Sequence, residues 1–164
     1  SEAKWVAKLI RERGLTAGIM VEVPAVAIMI DQFLAEVDFV SIGTNDLAQY
    51  VMAADRMNAN LATYTDPWQP AVLSLISQVA GAGVRLGKPV GVCGEAAADP
   101  ILACVLIGMG VTSLSMAASA IPGIGAQLAK VTAEQCENAA HAILEAVDSG
   151  DARNKARSAL GIGK

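Results

Sequence analysis

Asp46 and Arg56 stand ten residues apart on one loop system, and together they can handle a cation and an anion. Asp46 closes the cluster Thr44-Asn45-Asp46, which follows the largely apolar run 37–43. A carboxylate offers hard oxygen to a divalent cation, and a guanidinium is a fixed cation shaped for phosphate or carboxylate. On one loop system the pair points to metal-assisted phosphate chemistry. A plainer reading stands beside it, in which Asn45 or Asp46 caps the helix that follows.

Glu22 sits near the end of the β-branched run 18–23. If both runs are strands of one parallel sheet, Glu22 and Asp46 reach the same rim on neighbouring strands roughly 5 Å apart. Two carboxylates and an asparagine, without histidine, suit Mg²⁺ or Mn²⁺ more than zinc. The alternative for Glu22 is a cap on the helix that Pro24 opens. Cys93 lies in Gly91-Val92-Cys93-Gly94-Glu95, at the end of another short apolar run. A thiol there is a nucleophile, an acid or a small filler. No histidine adjoins it to make a Cys–His nucleophile, so a proton donor is the better chemical fit. The flanking glycines leave backbone room for a ligand. Glu95 stays open among ligand, partner of Cys93 and solvated acid. Cys104 and Cys136 fall in apolar helices and read as packing, and His141 falls in a late helix far from the strand ends.

These side chains need elements to present them. The pattern predicts an amphipathic helix over 4–13, with Trp5, Leu9 and Ile10 on its apolar side and Gly14 as its stop. Strands are expected at 18–23, 37–43, 89–93 and 112–116, each a short β-branched or apolar run. Between them come helices at 25–37, 71–86 and 100–108, with Pro24 and Pro100 at first helical positions and Asp99 as a cap. Residues 53–66 read as a long functional loop with one short helix. A short helix opens at Pro122, and a longer one, 133–147, is capped by Thr132 and ended by Ser149-Gly150. Residues 151–160 form a last helix, and 161–164 a flexible end.

One helix and then four β–α units argue for a parallel sheet with right-handed crossovers. The strand parity is more specific. Met20 and Glu22, Ser41 and Gly43, Gly91 and Cys93, and Ser113 and Ser115 fall on one face; the aliphatics fall on the other. A doubly wound sheet buries aliphatics on both faces, whereas a small, polar face suits the inside of a barrel mouth. The expected fold is therefore α/β, the second half, about four β/α units, of a TIM-type (β/α)₈ barrel.

The 164 residues carry a net charge of −4 and no basic run, which argues against nucleic acid. No apolar stretch reaches the roughly 18 residues that span a bilayer, and no signal peptide is expected from the opening residues. Three cysteines without CxxC spacing give neither a disulfide framework nor a zinc site, so a reducing, cytoplasmic setting is expected.

The segments Gly18-Ile19-Met20-Val21-Glu22-Val23-Pro24, residues 38–58 with Ser41-Ile42-Gly43-Thr44-Asn45-Asp46-Leu47, and Cys93-Gly94-Glu95 carry a family resemblance. In order and spacing the chain resembles the enzyme I family of the phosphoenolpyruvate-dependent sugar phosphotransferase system. A related group, the pyruvate phosphate dikinases and phosphoenolpyruvate synthases, uses the same barrel; Gln49-Tyr50 and Asp55-Arg56-Met57-Asn58 are closer to enzyme I. The resemblance implies that residues 1–164 are the C-terminal part of the phosphoenolpyruvate-binding barrel, without the first half of the barrel or the N-terminal phosphohistidine domain. It implies that Glu22 and Asp46 bind Mg²⁺, that Asn45, Asp46 and Arg56 bind the substrate, and that Cys93 protonates the enolate as pyruvate forms. The phosphoryl group then passes to a histidine of the absent domain and on to a phosphocarrier protein. His141 does not match that histidine's context, and the family's other substrate-binding arginines belong to earlier strands. The fragment alone is expected to be inactive and to form a homodimer; a non-catalytic dimerisation module is the competing expectation.

Overall fold

Short apolar runs bounded by glycine, proline or polar residues make short strands, and all four expected runs form them. The computed structural model describes residues 1–163; Lys164, at the expected flexible end, lies outside the described residues. Strands β1 (Gly18–Val21), β2 (Phe39–Gly43), β3 (Val90–Cys93) and β4 (Ser113–Ser115) pair in chain order, every neighbour parallel. The register aligns Met20, Ser41, Gly91 and Ser113 in one row across the sheet, and Gly43, Cys93 and Ser115 in the next.

An unbroken order with right-handed crossovers carries every connection over the same face. Burial follows that rule. Val21, Val40, Ile42, Val90 and Val92 are buried. The residues between them face the other way and stay accessible, Met20 at 45%. The parity read from sequence is thus the parity of the fold, an α/β structure with one covered and one bare sheet face.

The helices are α1 (Glu2–Arg11), α2 (Pro24–Ile28), α3 (Ile30–Leu34), α4 (Thr44–Val51), α5 (Pro70–Leu86), α6 (Pro100–Gly108), α7 (Ile121–Leu128), α8 (Ala133–Ile143) and α9 (Ser149–Ala159). Proline opens α2, α5 and α6, where a missing N–H costs nothing. Asp99 caps α6 by accepting from Ile101 and Leu102 backbone N–H groups. Thr132 caps α8 through a reciprocal box with Gln135. Among the described residues, no helix is long and apolar enough to cross a membrane.

Three expectations are corrected. The single helix over 25–37 is two, broken at Met29. The Gln78 amide on α5 donates to the carbonyls of Ala27 and Ile28, the insertion that lets a helix break. The helix from Ala133 ends at Ile143, and Ser149 begins α9 behind the Asp148 cap rather than stopping α8. Trp5 is 64% exposed, because Ala7 is the buried residue of α1 and Trp5 lies two positions, about 200°, round the helix from it.

The core runs through Ile42, Leu47, Trp68, Leu73, Ile76 and Leu102, all buried. Away from the site, Arg11 on α1 grips Asp38 before β2 with two hydrogen bonds, at 2.6 and 3.2 Å. The Arg11 bond, with the Ala17 amide, holds the Asp38 carboxyl below its ordinary value.

Candidate functional site

The β2 chain leaves the sheet at Gly43 and turns directly into α4, so Thr44, Asn45 and Asp46 form the first turn of that helix. The α4 N-cap is Gly43, and no side chain caps it. Asn45 and Asp46 are therefore not helix caps. Glu22 follows β1 directly, and the α2 N-cap is Val23 without a side-chain bond, so Glu22 is not a cap either. The plainer readings of these residues are not realised in the structure.

Their side chains turn instead to a recess of about 220 Å³ at the C-terminal ends of β1, β2 and β3, whose lining includes Glu22, Asn45, Asp46, Arg56 and Cys93. All five residues singled out from sequence meet there. A broader hollow of about 630 Å³ lies alongside, bounded by Glu95, Asp99, Gln127 and Arg157. It is larger but has one exposed cation and no convergent ligand set, so the smaller recess is the candidate site.

Two glycines shape it. A Cβ on Gly43 would come within 2.9 Å of a Glu22 carboxylate oxygen, so the bare backbone lets Glu22 lie across the end of β2. Gly94 has φ +99°, and a Cβ there would press on Thr44 Oγ1 and the Asn45 amide at 2.8 and 2.9 Å. Only glycine brings the β3 end this close to α4.

Hydrogen bonds fix the remaining parts. Thr44 is buried, and its hydroxyl donates to the Cys93 carbonyl at 2.9 Å, tying the ends of β2 and β3 together. The Glu95 backbone N–H donates to Asn45 Oδ1 at 3.3 Å. The Cys93 thiol points to the bare face, 3.4 Å from the Ile42 carbonyl and 3.8 Å from Met20 Sδ. Arg56 reaches Asp46 Oδ2 with Nη1 at 3.4 Å, both half-exposed. Its backbone N–H donates to the Gln49 side chain at 3.1 Å, which returns the loop to α4 after Ala53 turns it with φ 50°.

Thr44 and Gln49 brace the residues that line the recess, and the sequence reading passed over them as members of a polar cluster and a motif. Thr44 had a signal, a hydroxyl directly after the glycine that ends a buried strand. Gln49 had none. Glu95 lines a neighbouring recess of about 270 Å³ with Asn45, Arg56, Met57 and Thr65. Cys104 and Cys136 are buried, as expected for packing, and His141 is exposed on α8.

The donor set is hard oxygen. Among the described residues no three His, Cys, Asp or Glu side chains gather into a metal cage. Two carboxylates on an open recess fit Mg²⁺, which keeps several waters and takes further oxygens from a bound phosphate. They do not fit zinc, which takes four protein ligands or three with nitrogen or sulfur.

Residues 3–133 match the family described as PEP-utilising enzyme, PEP-binding domain. The chain is 52% identical over 162 residues to the phosphoenolpyruvate-protein phosphotransferase of Streptomyces coelicolor, covering 98% of this chain and 29% of that protein. The proteins of the same name from Geobacillus stearothermophilus and Bacillus subtilis are 50% and 45% identical over 131 and 130 residues, covering 80% and 79% of this chain and 23% of each of them. The chain thus spans less than a third of the length of the curated relatives it matches.

Proposed function

Because this chain belongs to the PEP-utilising enzyme family, through its PEP-binding domain, we propose that it carries the metal and acid part of a site where phosphoenolpyruvate gives up its phosphoryl group. The observation that carries the reading is the meeting of Glu22, Asn45, Asp46, Arg56 and Cys93 on one recess. The activity is that of a phosphoenolpyruvate-protein phosphotransferase, the name borne by its relatives. The phosphoryl group goes to an enzyme histidine and on to a phosphocarrier protein for sugar uptake, and pyruvate is released. These steps need parts outside residues 1–164, and the chain alone is inactive.

The architecture proposed for the whole is a TIM-type (β/α)₈ barrel, of which this chain is the second half. The bare sheet face supports it: Met20, Ser41, Gly91 and Ser113 are lined up for an enclosed interior, not for solvent. A cytoplasmic homodimer is the setting that goes with this reading.

Glu22 and Asp46 would hold Mg²⁺, which when bound offsets phosphate charge as the P–O bond weakens. Arg56 pairs with a phosphate oxygen, exchanging its Asp46 contact for the substrate. Asn45 donates its amide to the same group while its carbonyl keeps the Glu95 N–H. Positioning of this kind is most of what phosphoryl transfer asks of a protein. As the P–O bond breaks and the histidine N–P bond forms, the enolate is left with an electron pair on its methylene carbon. Cys93 gives its thiol proton to that carbon and recovers one from solvent.

Asp46→Asn in the full-length protein is expected to abolish Mg²⁺-dependent transfer; unchanged transfer at limiting Mg²⁺ overturns the metal assignment. Cys93→Ala is expected to block pyruvate release far more than phosphoenolpyruvate binding. Release at the normal rate would make Cys93 a filler.

A further inference from the structure

The loop that carries Arg56 leaves α4 at Met52 and rejoins the fold at Asp66-Pro67-Trp68, ahead of α5. Its return end is held by a residue of the last helix. Arg153 on α9 donates to both carboxylate oxygens of Asp66, Nη1 to Oδ2 and Nη2 to Oδ1, each at 2.8 Å. Its guanidinium also lies over the Trp68 ring, 5.5 Å from the centroid. A bidentate, stacked arginine is the most geometry-specific of the ion pairs; the Asp66 side chain is 17% exposed and that of Arg153 41%, so the fork geometry, rather than exclusion of solvent, is what makes the pair specific.

The contacts continue toward the other rim loop. Asp66 Oδ1 also accepts the Trp68 backbone N–H at 3.0 Å. Trp68 is buried, and its indole N–H donates to Asp99 Oδ2 at 2.8 Å. Asp99 spends its other oxygen on the first turn of α6, directly after the turn that follows Cys93-Gly94-Glu95. Thr65, next to Asp66, lines the same recess as Arg56, Asn45 and Glu95. Arg153, Asp66, Trp68 and Asp99 thus form one polar staple, with the Arg56 loop at one end and the Cys93–Glu95 loop at the other. Arg153 lies beyond residues 3–133, the span that matches the PEP-binding domain.

We infer that Arg153 is a positioning residue: through Asp66, Trp68 and Asp99 it sets the separation between the loop that brings Arg56 and the loop that brings Cys93 and Glu95. The inference rests on the function proposed above for where it matters, but the staple itself is a property of this chain. Arg153 touches none of the recess. Its role is to hold the loop of the anion-binding arginine already ordered beside the Cys93–Glu95 loop, so that gripping the phosphate costs less loop ordering.

Hydrogen exchange on the full-length protein tests the staple, and its steady-state kinetics test the use of the staple. In Arg153→Gln, amides over 53–69 and 94–99 are expected to exchange at least tenfold faster, with the β2 and β3 amides unchanged. The KM for phosphoenolpyruvate is expected to rise about tenfold with kcat within about twofold, the loss of one charged hydrogen-bond pair. Arg153→Lys keeps the charge and restores part of the KM, and Asp66→Asn reproduces the defect without touching α9. Faster exchange throughout the chain makes Arg153 a general structural residue and overturns the inference. So does loosening of both loops with an unchanged KM. If the unaltered full-length protein binds no phosphoenolpyruvate, the proposed function falls, and the exchange pattern alone decides whether the staple couples the two loops.

Discussion

The two faces of the four-stranded sheet are built from alternate residues of the same strands, yet they differ in every physical respect. On one, Val21, Ile42 and Val92 are buried without remainder beneath the helices. On the other, one residue away, Met20, Ser41, Gly91 and Cys93 meet no layer of this chain. The covered face accounts for stability, since each fully buried aliphatic side chain contributes about 1.5–3 kcal/mol. The bare face contributes little to the fold and, with its rim, holds the side chains proposed for chemistry. A side chain can be chosen for reactivity only where the fold does not need it for packing, and in this chain that place is the bare face and its rim.

The contrast is sharpest in the thiols. Cys93 is on the bare face; Cys104 and Cys136 are in the helical core. A maleimide or aromatic disulfide reagent is expected to label Cys93 at least ~10³-fold faster than the other two, which react only through the unfolded fraction. Equal rates would mean that the core thiols are not enclosed. Burial pushes the Cys104 thiol up to about 11 from an ordinary value of 9.0. The raised value belongs to the folded state, so the stability that comes from keeping this thiol neutral is whole below about pH 9 and is lost as pH rises through 11. Urea melts of Cys104→Ala and the parent chain between pH 8 and 11 check the sign, since the alkaline loss should shrink in the variant.

Next in size is a pair of neighbours. Ile42→Ala removes a fully buried side chain from the covered face and should cost about 3 kcal/mol. Ser41→Ala, one residue away, should change stability by less than about 0.5 kcal/mol. Equilibrium urea unfolding measures both. Comparable losses would show that the bare face is packed in solution and break the comparison.

The smallest expected effect is a doubling of mass. A bare sheet face with Met20 on β1 and Phe39 on β2 exposed, together with the open β1 edge, favours association. Sedimentation equilibrium at micromolar concentration should give a dimer. A clean monomer would count against the half-barrel proposal, because it would mean that solvent covers this face without penalty.

Much of this was readable in the chain. The four strands, the proline-opened helices and the Asp99 and Thr132 caps are local events, decided by residues within a few positions of each other. The division of the strands into two faces was readable too, because strand period is two and each run obeys it. Where a distant residue intervened, the sequence was silent. Gln78 splits the helix over 25–37 from α5, fifty residues away. Trp5 looked like a core residue because large apolar side chains usually are, but Ala7 had already taken the inward position on α1.

By itself, then, the sequence determined which side chains are the candidates for chemistry: the carboxylates Glu22 and Asp46, the amide Asn45 and the thiol Cys93, each at or just beyond the end of a short strand, and the cation Arg56 on the loop after α4. Residue type and position along the strand are local quantities, and a parallel sheet sends all its strand ends to one rim. Only the tertiary structure decided that the five share one recess, that Glu22 lies over Gly43, that Thr44 binds the Cys93 carbonyl, and that Arg153 reaches back to Asp66. Those are contacts between residues up to 87 positions apart, fixed by strand register and helix packing, and no local pattern encodes them.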